Sequence, residues 1–300
     1  MGLRLESLSQ GGRGHLAMLA FSTLVAGSFS FGSRIANQID PVALTAARFV
    51  LAGAVIGAAA ALGPGLRPSY FRAPWRYLLL GGAFALYFVL MFEGLKTAPP
   101  VSTAAVFTLT PILSGLFGWL FLRQVTTPRM ALALAIGGAG ALWVIFRADW
   151  SALMAFDIGR GETIFFVGVV AHAAYTPLVR RLNRGEPTLV FTFGMMLAAL
   201  LVLGAYGAPA IAATDWGALP VQVWLVLAYL AFCASAMTFV LLQYAALRLP
   251  AAKVMAYTYL TPSFVIGWEI VLGSGVPRVL ILVGVGLTAL ALALLLKDEG

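Results

Sequence analysis

Residues 34–41 read RIANQIDP, and residues 180–187 read RRLNRGEP. Both segments follow the pattern Arg-x-x-Asn-x-x-acid-Pro, at positions that differ by 146. Two shorter matches recur in the same order, at offsets of 151 and 149 positions. They are Thr110-Pro111 with Thr261-Pro262, and Pro128-Arg129 with Pro277-Arg278. The similar offsets predict a duplicated unit with halves at 1–147 and 148–300, and convergent loop chemistry is the alternative explanation.

The amino-acid composition indicates whether water or lipid surrounds both halves. Hydrophobic residues make up 61% of the 300 residues and charged residues 10%, against about 45–50% and about 25% in globular domains. A soluble fold of this length could not cover its surface with so few charges. The net charge of +8 is scattered between apolar runs, whereas a nucleic-acid-binding protein clusters its basic residues. The sequence therefore predicts a multi-pass membrane protein.

Apolar runs separated by proline, glycine and charged residues predict ten transmembrane helices, each close to the roughly 20 residues that cross a bilayer. The predicted spans lie near residues 15–33, 41–62, 74–95, 100–122, 128–146, 159–181, 187–207, 218–244, 250–273 and 277–296. Several begin at a proline, where a missing backbone N–H costs no hydrogen bond. The predicted fold class is an all-α polytopic membrane protein.

Each predicted half contains five spans, and because five is odd, the second half must enter the membrane inverted. Inverted repeats are typical of secondary transporters, whose substrates bind near the midplane between the halves. If the N-terminus is cytoplasmic, thirteen of the 19 basic residues lie inside and five outside. Cytoplasmic loops carry such an excess of Lys and Arg. We therefore expect a cytoplasmic (inner) membrane protein with both termini in the cytoplasm.

The chain resembles the drug/metabolite transporter superfamily, and more narrowly its EamA branch of amino-acid and metabolite exporters. The resemblance rests on the five-plus-five arrangement, on GLK at 94–96 with Pro111, and on ALR at 246–248 with Pro262. It implies that the first four helices of each half surround a central cavity, with the fifth and tenth outside. The chain departs from the family pattern at the ends of both fourth helices. Many members have Gly-Glu there, where this sequence has LRQ at 122–124 and LGS at 272–274.

Ionisable groups inside a bilayer are costly and are functional candidates by default. Arg48 in the second span and Glu269 in the ninth are predicted at similar depth. They could pair, or they could bind the carboxylate and the ammonium of a zwitterionic substrate. The alternative is that Arg48 extends to the interface and Glu269 is interfacial. His172 in the sixth span and Glu269 are candidates for a proton relay, and a packing role is the alternative for His172.

Aromatic and hydroxyl side chains within the spans form the second group of candidates. Rings mixed with a few polar groups suit a cavity for a small amphipathic solute. The predicted substrate-binding residues of this kind are Tyr87, Thr110, Tyr175, Tyr257 and Thr261. Pro111 and Pro262 are predicted hinges, because proline removes an intrahelical hydrogen bond and bends a helix.

The sequence contains no metalloprotease, nucleophile-elbow or phosphate-loop motif, so we expect no catalytic residue, metal, cofactor or ATP. The inverted duplication predicts secondary transport by alternating access. The resemblance implies export, with amino acids that are aromatic or otherwise hydrophobic as the leading substrate class. The alternatives are transport of a sugar, nucleotide sugar or drug-like cation, and a membrane-embedded lipid-modifying enzyme. The expected partners are a small-molecule substrate and the lipid bilayer, without nucleic acid, and the protein is expected to be a monomer or homodimer.

Overall fold

The computed structural model describes residues 10–125, 127–155, 157–275 and 278–296, and these residues form helices and no strands. Eight of the helical stretches are long and apolar enough to cross a membrane. The all-α, multi-pass class is therefore confirmed. The helices are α1 (Gln10–Ile35), α2 (Pro41–Leu62), α3 (Trp75–Leu95), α4 (Pro100–Phe107), α5 (Thr110–Leu122), α6 (Pro128–Ile145), α7 (Trp150–Ala155), α8 (Arg160–Leu182), α9 (Thr188–Ala213), α10 (Val221–Ala231), α11 (Thr238–Ala246), α12 (Ala251–Ala256), α13 (Thr261–Val271) and α14 (Val279–Leu296).

Three of the predicted spans are interrupted helices. A turn at 108–109 separates α4 from α5, a π-helical turn (Phe232–Met237) separates α10 from α11, and a 3-10 turn (Tyr257–Leu260) separates α12 from α13. The ninth predicted span is thus built from short pieces, and α14 is a shorter apolar helix, so the count of ten spans stays a prediction. Two of the interruptions lie directly before Pro111 and Pro262, the predicted hinges, whereas the sequence did not predict the π-helical turn. Pro277, the start of the last predicted span and part of the Pro-Arg match, lies outside the described residues.

Contacts between the connecting segments sort them into two ends of the molecule. At the first, which we call the Arg34 end, Arg34 bonds Ser274 and Asn37 bonds the backbone of Lys96. The α9–α10 and α6–α7 connections lie at the same end. Asp40 shares a surface cavity with residues 210–220, and Pro99 shares another with residues 146–149.

The opposite end, which we call the Arg76 end, joins the remaining connections. Arg76 bonds the backbone of Leu182 and the carboxylate of Glu186, and Arg181 bonds the backbone of Phe121. The first connection of the first half, 36–40, lies at the Arg34 end. The matching connection of the second half, 183–187, lies at the Arg76 end. The two halves are therefore inverted relative to each other.

Helix packing between the halves follows the same twofold relation. The third helix of the first half, α3, packs on α8 and α9, and the matching α10–α11 of the second half packs on α1 and α2. In addition α2 packs on α9, α5 on α12, and α6 on α14. The buried core is consequently shared between the halves, so neither half encloses a core of its own.

The α6–α14 pair crosses at two glycines. A Cβ atom built on Gly140 would lie 2.6 Å from the backbone oxygen of Gly284, and one built on Gly284 would lie 2.7 Å from that of Gly140. Small residues allow membrane helices to pack backbone to backbone. The crossing therefore requires glycine at both positions.

We expect Gly284→Ala to destabilise the protein, because the added methyl group must push α14 away from α6, and overpacking costs about 1–3 kcal/mol. The matched control is Gly286→Ala on the same helix, where a Cβ atom meets nothing within 4 Å. Thermal unfolding of the purified proteins in detergent should show a lower Tm for Gly284→Ala alone. Equal Tm values for the two variants would contradict the backbone contact.

Inversion of the halves predicts which loops are reached from the same side of a membrane. In a Cys233→Ser background, cysteines at Ser69 and Arg184 should react with an impermeant maleimide from one side, and a cysteine at Ser151 from the other. All three positions are exposed. Labelling of the Ser69 and Arg184 variants from opposite sides would show that the halves have the same orientation.

Candidate functional site

An aromatic cluster from both halves fills the centre of the molecule. The ring centroid of Phe84 on α3 lies 4.1 Å from that of Tyr175 on α8 and 4.3 Å from that of Phe239 on α11. The rings of Tyr87 and His172 are 4.4 Å apart. Buried rings in such edge-to-face or tilted pairs add to the stability that area burial provides. The cluster joins the halves at mid-depth, where sequence analysis predicted the substrate site.

A small cavity lies within this cluster. Its walls come from α1, α3, α8, the π-helical turn and α11, so both halves contribute. The centre of a water molecule can occupy a volume of about 10 Å³ inside the cavity. This volume is close to the minimum that one bound water requires. Sites for small organic ligands are typically about 300–1,000 Å³. The cavity is therefore too small for an organic ligand unless the surrounding helices separate.

Tyr87 and His172 line the cavity, and Tyr175 belongs to the surrounding cluster. The His172 Nδ1 atom is buried and has no hydrogen-bond partner among the described residues. The Tyr175 hydroxyl donates to the Met195 sulfur at 2.9 Å and accepts from the Gln243 amide at 3.0 Å. Of the seven predicted binding residues, the structure thus brings two to the aromatic cluster, together with the relay candidate His172.

Arg48 is fully buried on α2 beside the cluster. Its Nε atom donates to the Ser235 hydroxyl at 2.8 Å, and Nη2 donates to the Ala234 carbonyl at 3.0 Å. Both partners belong to the π-helical turn, which leaves carbonyls outside the regular α-helical ladder. The guanidinium also lies 3.9 Å from the ring centroid of Phe88, a residue of the cavity wall. Nη1 has no partner among the described residues.

Two expectations for Arg48 are wrong. It does not extend to the membrane interface, because its side chain is enclosed. It does not pair with Glu269, because Glu269 lies at the Arg34 end and bonds Arg34 at 3.2 Å. Arg34 also bonds Ser274 at 3.0 Å, so this ion pair connects α1 of the first half to α13 of the second. Glu269 does not line the cavity.

The remaining candidates lie at the interruptions of the fourth and ninth predicted spans. The Thr110 hydroxyl donates to the carbonyl of Phe107, which Pro111 cannot reach because proline has no N–H. Pro111 and Pro262 each occupy the second position of a restarting helix. Thr261 has an unpartnered hydroxyl among the described residues, and the Tyr257 carbonyl accepts from Ser22 at 2.6 Å. Thr110, Tyr257 and Thr261 are not among the residues that line the cavity.

Sequence reasoning missed Ser235, Phe239 and Gln243. A buried amide within an otherwise apolar span is a signal that could have identified Gln243, since polar groups in a bilayer are costly and mark functional positions. Ser235 and Phe239 carry no such signal, because hydroxyls and rings are common in membrane helices.

A second ion pair joins the halves at the Arg76 end. Arg76 lies 2.8 Å from Glu186, and both side chains are buried. Burial alone raises the pKa of the Glu186 carboxyl, but hydrogen bonds from Arg76 and from the Arg184 backbone outweigh it and hold the pKa below its ordinary value. The acid of the duplicated motif therefore anchors structure. Its counterpart Asp40 accepts from Val42 and Ala43 at the start of α2.

The Arg34–Glu269 ion pair is predicted to keep the Arg34 end closed. In a Cys233→Ser background carrying Ser28→Cys in the cavity wall, Glu269→Gln should raise the rate of maleimide labelling from the Arg34 side. A partly exposed pair is worth about 0.5–1 kcal/mol, so we expect about a two- to fivefold increase. The exchange Arg34→Glu/Glu269→Arg should restore slow labelling.

Glu93→Gln is the matched control, because the Glu93–Lys96 ion pair joins neighbouring residues of one half and should not affect labelling. Unchanged labelling in Glu269→Gln would show that the Arg34–Glu269 pair does not hold this end closed.

Comparison with known proteins agrees with this architecture. The profile of the EamA-like transporter family matches the chain twice, at residues 12–146 and 159–297. The uncharacterized transporter YyaM of Bacillus subtilis is 27% identical over 90% of this chain and 92% of its own. The aromatic amino acid exporter YddG of Ancylobacter novellus is 30% identical over 63% of this chain and 64% of its own. A solved crystal structure shares the fold, with a TM-score of 0.73 at 22% identity, over 96% of this chain and 99% of its own. Because the two family matches cover most of its length, this chain belongs to the EamA-like transporter family.

Proposed function

We propose that this transporter exports aromatic and other hydrophobic amino acids across the cytoplasmic membrane by alternating access. The observation that carries the proposal is the cavity between the halves, where aromatic rings surround a few buried polar groups. Such a lining suits a substrate with an apolar side chain and a compact polar end. The similarity to a protein named as an aromatic amino acid exporter supports this substrate class.

Arg48 is proposed to bind the substrate carboxylate. A buried guanidinium is costly, and Arg48 forms no ion pair with any described carboxylate. Its hydrogen bonds to Ser235 and Ala234 hold the group in place and leave Nη1 available as a donor. The planar guanidinium can also bind a carboxylate through two hydrogen bonds when the helices separate.

Alternating access is proposed to involve the two halves, 1–147 and 148–300, moving against each other. The Arg34 end is assigned to the outside and the Arg76 end to the cytoplasm, following the excess of basic residues on the cytoplasmic side. Pro111 and Pro262 are proposed hinges, because each follows directly on a helix interruption. His172 lines the cavity and is the proposed site of any proton relay, whereas Glu269 is assigned to closure of the Arg34 end.

Counterflow in proteoliposomes tests the substrate class. Vesicles preloaded with unlabelled solute should accumulate labelled phenylalanine when the internal solute is phenylalanine, tryptophan or leucine, and not when it is aspartate or glucose. Trans-stimulation by a sugar, a nucleotide sugar or a hydrophobic cation instead would assign another substrate class. Chemical turnover without counterflow would identify an enzyme.

Arg48→Lys should raise the phenylalanine concentration for half-maximal counterflow about tenfold. The variant keeps the charge but loses the paired geometry, and a hydrogen bond to a charged group is worth about 1.5–3 kcal/mol. Arg129→Lys, at an exposed position on α6, is the matched control and should behave like the wild type. Wild-type affinity in Arg48→Lys would exclude a direct role in carboxylate binding.

A further inference from the structure

A groove on the surface of the molecule runs between α1 of the first half and α11 of the second. Its volume is about 420 Å³, and its lining is mostly apolar. Arg13, Ala17 and Ala20 line it from α1, and Val240 and Tyr244 line it from α11. The spacing of the α1 residues places them on one helix face. The groove therefore lies between two helix faces, one from each half.

Two arginines lie at the same end of this groove, next to Tyr244. Arg13 lines the groove together with Tyr244, and the guanidinium carbon of Arg248 lies 3.6 Å from the centroid of the Tyr244 ring. A Cβ atom built on Gly14, the residue after Arg13, would lie 3.7 Å from the Cβ atom of Arg248. One arginine from each half therefore lies at the Tyr244 end of the groove.

The guanidinium of Arg248 is held by three contacts. Its Nε atom donates to the Gln10 side-chain oxygen at 2.9 Å, Nη1 donates to the Tyr244 carbonyl at 2.9 Å, and the Tyr244 ring lies against the group. Nη2 has no hydrogen-bond partner among the described residues, and none of their ion pairs includes Arg248. A guanidinium fixed in this way can donate to a phosphate oxygen with little further loss of side-chain freedom.

The position of the groove along α1 places its arginines at a membrane surface. Arg13 lies near the start of α1, whereas Arg34 lies near its end, so Arg13 belongs to the Arg76 end. From Arg13 to Ala20 the helix rises about 10 Å toward the centre of the membrane. Leu16, between them, is 46% exposed, so this surface faces lipid. A phosphate group bound at the arginines would therefore place its acyl chain along the apolar part of the groove.

We propose that the α1–α11 groove binds one anionic glycerophospholipid, with its phosphate at Arg248 and Arg13 and an acyl chain along Ala17 and Ala20. Charge complementarity selects the headgroup, because the groove is bordered by two cations and lined by no described carboxylate. The ammonium of a zwitterionic headgroup would be repelled by the same cations. Basic pockets between membrane helices on the cytoplasmic side bind anionic headgroups in this way. The lipid contacts both halves, and its binding does not depend on which substrate is transported.

Native mass spectrometry of the full-length protein in detergent tests the headgroup site. The probes are phosphatidylglycerol and phosphatidylcholine with the same acyl chains. The wild type should bind the first phosphatidylglycerol about tenfold more tightly than phosphatidylcholine. Arg248→Gln removes the charge and should raise the Kd of phosphatidylglycerol about tenfold, with no change for phosphatidylcholine. The matched control is Arg129→Gln, at an exposed position near the start of α6, which should bind both lipids like the wild type.

Ala20→Leu tests the acyl-chain part of the groove, because the larger side chain fills it and leaves both arginines in place. The Kd of phosphatidylglycerol should rise about fivefold, since the acyl chain loses apolar contact area. The matched control is Ala54→Leu, at an exposed position on α2 outside the groove, which should not change the Kd. If Arg248→Gln does not fold, as judged by size-exclusion profile and Tm, Ala20→Leu carries the test.

Equal affinity of the wild type for the two lipids would overturn the proposal, as would an unchanged Kd of phosphatidylglycerol in Ala20→Leu. A ligand that binds the folded protein raises its Tm, so phosphatidylglycerol should raise the Tm of the wild type and inorganic phosphate should not. An equal rise with inorganic phosphate would identify a site for free phosphate and overturn the lipid site. Phenylalanine counterflow is a separate measurement, so failure of the proposed function would leave the lipid site standing.

Discussion

The structure depends on one constraint, which is that lipid offers no hydrogen-bond partner to the peptide backbone. The chain therefore crosses as helices, and any interruption of a helix must be covered by protein. Three interruptions occur in the described spans, and each has partners nearby. Thr110 bonds the Phe107 carbonyl, four residues before Pro111, and Arg48 bonds the Ala234 carbonyl and the Ser235 hydroxyl of the π-helical turn. Polar side chains thus occur where the helices are interrupted.

The shared core explains how such a protein can change shape. The aromatic cluster lies between the halves, and the helices of one half pack on those of the other. At the Gly140–Gly284 crossing the backbones touch, so that contact is rigid and specific. At the centre the rings of the two halves can separate without breaking hydrogen bonds, and the bonds of Arg48 to Ser235 and Ala234 join the halves beside them. The α6–α14 pair is therefore suited to hold the halves together while the centre opens.

Two kinds of charged contact join the halves in the part of the chain that the structure describes. Ion pairs between the halves occur at both ends, as Arg34–Glu269 and Arg76–Glu186. In the centre, Arg48 has neutral partners and an aromatic ring instead of a carboxylate. We expect the opposite charges at the ends to stabilise closed forms, and the unneutralised cation in the centre to attract an anionic group. This separation of roles follows from the cost of charge in a bilayer, because a charge there needs either a partner or a function.

Local features of the sequence determined the membrane class, the positions of most helices and the inversion of the halves. Prolines and apolar runs act within a single segment, so α2 begins and ends where the sequence predicted, at 41–62. The partners of Arg48, Glu269 and Gln243 were decided only by tertiary structure. Each contact depends on the rotation and depth of two helices from different halves, and apolar periodicity specifies neither. The π-helical turn has the same origin, because its Ala234 carbonyl and Ser235 hydroxyl are stabilised by a guanidinium from a helix almost 190 residues away in the chain.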